Sequence, residues 1–161
     1  MGRMSWRSTF RALAVLAVLS VFGRPALAGS ELLRGGTYFL PVYSHIYIGD
    51  RARPFLLAIT VSVRNTSLTE PMTLTGADFY DSDGTLLNRY IDAPKTIEPF
   101  GSMRLTVAES EKHGGAGAKF LVSWTARTPM TAPHVEAVMI GSGGQQGISF
   151  TSQAVPLKTE R

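Results

Sequence analysis

The 161-residue sequence contains no cysteine. That excludes disulfides, thiol nucleophiles, thiolate metal sites and redox exchange, so any fold must rest on its apolar core alone. Charge of one sign is also lacking once position is considered. The chain has 16 basic and 12 acidic residues, but Arg3, Arg7, Arg11 and Arg24 fall within the first 28 positions, which hold no acidic residue. The remaining 133 residues therefore carry 12 charges of each sign. The basic excess belongs to the N-terminus, and without a basic run elsewhere it gives no footing for nucleic-acid binding. No segment after residue 28 repeats its apolar residues with the 3.6-residue period of a helix. One apolar run stands out, Ala12 to Phe22, and its eleven residues are interrupted by Ser20. As a helix it spans about 16 Å, against a hydrocarbon core of about 30 Å, so it is too short for a membrane anchor.

What is present at the N-terminus is a leader. A basic start, that short apolar run and Ala26-Leu27-Ala28 form a secretory signal peptide, with cleavage expected after Ala28. The arginines are not adjacent, so the twin-arginine route has no support. The expected product is a soluble periplasmic or secreted chain of residues 29–161, long enough for one domain with a core.

That chain reads as strand throughout. Phe55, Leu57, Ile59, Val61 and Val63 alternate with their neighbours, as do Phe120, Val122, Trp124 and Ala126, with Trp124 aimed inward. Met103, Leu105 and Val107 make a third strand. Residues 135–140 are apolar on both parities, which predicts a central strand buried on both faces. In 72–80 the apolar parity switches between Leu74 and Ala77, which predicts a bulge at Gly76. Asp81-Ser82-Asp83-Gly84 then turns the chain into a hairpin partner over 85–91. An N-terminal strand is expected over about 37–48, and Pro41 within it predicts an edge or a bulge. Glu109 to Ala118 is a polar, glycine-rich loop. Seven or eight strands with frequent turns predict an all-β, single antiparallel sandwich, immunoglobulin-like in first place and cupredoxin-like or jelly-roll in second.

The stretch GSGGQQGISF at 141–150 has a spacing close to that of a dinucleotide-binding loop. Such a loop needs a helix after its glycines to hold the pyrophosphate. Ile148 to Thr151 alternates like a strand instead, so the glycines are expected to join two strands by supplying positive φ. No cofactor is expected.

Four stretches, PVYSHIYIGD (41–50), FYDSDG (79–84), GGAGAKFLVSW (114–124) and EAVMIGSGGQQGISF (136–150), resemble the bacterial exported proteins grouped as domain of unknown function 3124. The likeness runs from about Tyr38 to Phe150. The tail departs from the pattern, with Thr151-Ser152-Gln153 where a Ser-Arg-Gly run is typical. The resemblance implies an exported β domain and no particular activity.

Candidate chemistry is sparse. Ser44 and His45 are adjacent, so on a strand they face opposite ways and make no nucleophile–base pair. Tyr43, His45 and Tyr47 share one parity and form a stripe of rings, while Tyr38, Leu40, Val42, Ile46 and Ile48 take the core parity. Asp81 and Asp83 lack the remaining ligands of a calcium loop. His45, His113 and His134 with Met72, Met103, Met130 and Met139 are the residue types that suit copper, but they form no tight motif, and His134 and Met139 face opposite ways. Glu136 on an apolar strand needs a partner, for which Arg64 and Arg89 are candidates. The function expected is non-enzymatic binding in the cell envelope. Tyr43, His45, Tyr47, Gln145 and Gln146 would form a recognition surface for a protein, peptide or carbohydrate. A hydrolase or lyase built on His45 with Glu136 or Asp81, and a metal carrier, are the alternatives.

Overall fold

The computed structural model describes residues 31–143 and 145–161. The expected leader, residues 1–28, lies outside them. The described residues contain no helix and twelve strands. In chain order these are β1 (Leu32–Pro41), β2 (His45–Ile48), β3 (Arg53–Leu56), β4 (Ala58–Arg64), β5 (Met72–Tyr80) and β6 (Leu86–Arg89). Then follow β7 (Lys95–Ile97), β8 (Ser102–Val107), β9 (Lys119–Thr131), β10 (His134–Gly143), β11 (Gln146–Gln153) and β12 (Val155–Glu160). One sheet runs β12-β1-β9-β5-β6 with β7 also paired to β5; a second runs β11-β10-β4-β8; β2 and β3 form a separate ribbon. All pairings are antiparallel.

Alternation explains the packing. Leu40, Leu74, Phe79, Phe120, Val122 and Trp124 from the first sheet meet Ile59, Val61, Val63, Ala137 and Met139 from the second in one buried cluster. Trp124 is 1% exposed, on the parity expected. The register of β5 against β9 shifts between Leu74 and Gly76, which lets Met72 and Leu74 as well as Ala77 and Phe79 reach the core. Asp81 closes the β5–β6 turn by accepting the backbone N–H groups of Asp83 and Thr85 at 2.9 and 2.7 Å. Those bonds, that of Thr85 first, hold its carboxyl below the usual range.

Five expectations are corrected. The strand count is twelve rather than seven or eight, because several short strands pair without alternating. β12, VPLKTE, is exposed at every residue and is made a strand by its ladder to β1 alone. β1 is therefore internal, not an edge. Its Pro41 is the last strand residue, beyond the stretch that β12 pairs, so no ladder bond to β12 is lost. The expected 37–48 strand is also two strands, since the chain leaves the sheet after Pro41 to enter the ribbon. Strand β10 is internal in its sheet but covered on one face only: Val135, Ala137 and Met139 are buried, whereas Ile140 is 54% exposed. Lastly, Gly141, Gly143 and Gly147 are not among the positive-φ residues. The first two are required by close approach. A Cβ on Gly141 would collide with the Leu56 carbonyl oxygen, and one on Gly143 would lie 2.8 Å from the Phe55 ring.

Candidate functional site

The close approach at Gly141 and Gly143 seats the ribbon. Strands β2 and β3 pair from His45↔Leu56 to Ile48↔Arg53, and Phe55 and Leu56 rest on the inner face of β10 near its end. The base of the ribbon is tied down by Ser44, whose N–H donates to Gly115 O at 3.0 Å and whose carbonyl accepts from Leu57 N at 3.0 Å. The Ser44 side chain is fully buried and its Oγ has no hydrogen-bond partner. Gly114 lies against that Oγ and against the Phe79 ring, too close for any side chain. The glycine-rich loop is thus a packed cover, clasped further by Ser82 Oγ, which donates to Gly114 O and accepts from Gly117 N.

From that base the ribbon projects outward. Residues 47–54 are all exposed, and Tyr47 is 59% exposed. His45 and Tyr47 meet edge to face with centroids 5.0 Å apart, as their shared parity predicts. Tyr43 meets Phe150 of β11 in the same manner at 5.6 Å. Gln146 lies directly across from Gly143, on the same face of β11 as Phe150. Gln145 is exposed in the intervening turn. The side chains of Gln145 and Gln146 have no hydrogen-bond partner among the described residues. The five residues picked from sequence therefore collect at one end of the molecule, at the ribbon and the neighbouring hairpin.

Glu136 is not with them. It lies seven residues from Gly143 along β10, roughly 23 Å at about 3.3 Å per residue. There it accepts from Arg64 Nη1 at 2.6 Å and meets His134 Nε2 at 3.2 Å. The Arg64 bond, then the His134 bond, holds its carboxyl below the usual range. Of the two expected partners, Arg64 is correct and Arg89 is not: Arg89 sits opposite Asp78 in the other sheet. His45 and Glu136 do not meet, and Asp81 is occupied by its own turn. His113 pairs with Glu111 at 2.9 Å on the surface. His134 and Met139 point to opposite faces of β10, and among the described residues no three His, Asp or Glu gather as a metal site.

Sequence reasoning missed the opposite end. Asn65, 2% exposed, donates through Nδ2 to Glu70 O, Ile97 O and Glu98 O and accepts from Ser67 N. These bonds lock the loop after β4 to the turn before β8. In that turn Phe100 has φ of 58° and is 78% exposed. A bulky residue in the left-handed region costs on the order of 1–3 kcal/mol. The only signal in the sequence is a lone Phe between Pro99 and Gly101.

A family model described as Protein of unknown function (DUF3124) matches residues 35–157. Among solved structures, the crystal structure of Thermotoga maritima 1070 is similar at 12% sequence identity and a TM-score of 0.46, over 74% of this chain and 92% of that one. Comparison with the curated proteins found no match.

Proposed function

The chain belongs to the family of proteins of unknown function DUF3124, and from that premise we propose that it is an exported, non-enzymatic binding or accessory protein of the cell envelope that meets its partner through the ribbon end. The observation that carries this reading is the ribbon: a two-stranded hairpin paired to neither larger sheet, exposed from Tyr47 to Pro54, with His45 stacked on Tyr47 and with Tyr43 against Phe150 of the strand that begins at Gln146. Rings offer contact area at low entropic cost and amides offer direction. A peptide, protein or carbohydrate of the envelope suits such a surface, and a peptide is favoured because a lone ribbon leaves strand edges unpaired for a further strand.

The scaffold is read as an immunoglobulin-like antiparallel β-sandwich. Both larger sheets contribute to one core, and the chain crosses between them after β4, β7, β8, β9 and β11. Export rests on the leader at residues 1–28; no helix among the described residues is long and apolar enough to cross a membrane. N-terminal sequencing of protein from the producing cell is expected to start at Gly29. Recovery of the intact segment 1–28 in membranes would overturn export by cleavage.

The binding reading is tested with His45→Ala combined with Gln146→Ala, and separately with Tyr47→Ala. Both variants are expected to melt within a few degrees of wild type, since these side chains are surface groups worth about 0.5 kcal/mol or less to stability. Both are expected to lose capture of the envelope partner from extracts of the producing cell. A large fall in melting temperature with capture per folded molecule unchanged would assign the residues to structure alone.

A further inference from the structure

The end of the molecule opposite the ribbon carries two clefts that share Thr66. One, of about 490 Å³, is walled mainly by Leu33, Tyr38, Ala132 and Pro156, with Thr131, Thr159 and Glu31 at its margin. The other, of about 320 Å³, is lined by Arg64, His134, Phe100, Asn65, Gly101 and Ser102. We propose that these two clefts together bind a small amphipathic carboxylate, its chain in the apolar cleft and its carboxylate at Arg64.

Three features select that chemistry. Arg64 is oriented by Glu136 through Nη1, yet its side chain is 46% exposed and has further N–H donors in a planar fork that suits a carboxylate. His134, held by the other oxygen of Glu136, stands on the same cleft with its second ring nitrogen unengaged among the described residues. Phe100 is held out at the rim on strained backbone, fixed by Phe100 N donating to Ser67 O at 2.8 Å and Gly101 N to Glu98 O at 2.9 Å. An exposed ring on so rigid a turn is arranged to pack against something.

The two ends of the site differ in charge: Glu31 on the apolar cleft is already paired with Arg161, whereas the second cleft presents Arg64 and His134. Tyr38, 7% exposed, contributes to the apolar wall, and the Thr66, Thr131 and Thr159 side chains are the uncharged polar groups around it. A methylene takes up about as much room as a water, roughly 30 Å³, so the cleft accommodates a chain of medium length. Catalysis is not part of the proposal. Ser102 and His134 flank Arg64 on neighbouring strands, which puts their backbones roughly 10 Å apart, too far for a nucleophile and base.

The test is calorimetric titration of the chain begun at Gly29 with sodium decanoate, decanol and acetate, with amide shifts mapped by NMR. Decanoate is expected to bind at least tenfold more tightly than decanol, acetate not measurably, and the shifts to centre on residues 64–66, 100–102 and 131–134. Arg64→Gln is expected to weaken decanoate tenfold or more and leave decanol unchanged. Phe100→Gly relieves the backbone and should remain folded while weakening both ligands about fivefold. Equal affinity for decanoate and decanol, no effect of Arg64→Gln, or shifts at the ribbon end would overturn the proposal. So would failure to bind accompanied by a dimer in sedimentation, which would assign the clefts to a second copy of the chain. Loss of ribbon-end capture leaves these readouts unmoved.

Discussion

Trp124→Ala is expected to lower the stability of the folded chain by about 3–5 kcal/mol, the range for removing a large buried aromatic. Trp124 sits at the middle of β9, an internal strand, between Gly36 of β1 and Leu74 of β5, and is 1% exposed. Strand neighbours on both sides are held by ladder hydrogen bonds, so the cavity cannot collapse. Trp124→Phe separates packing from the indole N–H. That N–H has no partner, so its removal forfeits no bond, and the Phe variant is expected to cost well under half of the Ala variant. Urea unfolding reads both. A loss below about 1 kcal/mol for Trp124→Ala would mean that the ring is not a core element.

Asn65→Ala is expected to rank second, at about 3 kcal/mol, because it leaves several buried backbone groups without partners at roughly 1 kcal/mol or more each. The residue joins Glu70, Ile97 and Glu98 carbonyls to the Ser67 N–H, and its own N–H donates to Gly101 O at 2.9 Å. Hydrogen exchange should show the damage as local, with faster exchange at Ser67 and Phe100 and unchanged protection in β9. A stability loss within 0.5 kcal/mol, the ordinary level for a surface residue, would show that the two loops hold their shape without this side chain.

The contrast between these two residues shows what was legible. Trp124 was readable because burial on a strand has a period of two, and the same arithmetic located Leu40, Val61, Phe79 and the bulge at Gly76. The period also placed Tyr43, His45 and Tyr47 on one side. Asn65 was not readable: its partners are contributed by residues 67, 70, 97 and 98, and no local pattern records which loops will meet. Phe100 was missed for the same reason, since an exposed ring on a turn looks in sequence like any turn residue.

By itself the sequence determined the all-β class, the core parity of the main strands, the hairpins at 81–84 and 143–146, and the family. These follow from local rules: side-chain alternation, turn chemistry and composition. Tertiary structure alone decided that β12 covers β1, that Gly141 and Gly143 make room for Phe55 and Leu56, and that Glu136 meets Arg64 rather than Arg89. It also set the five candidate residues at one end and Arg64, His134 and Phe100 at the other. Each of these is a pairing between segments far apart in the chain. Which distant segments pair is governed by the summed packing of the whole core, a quantity that no short stretch of residues carries.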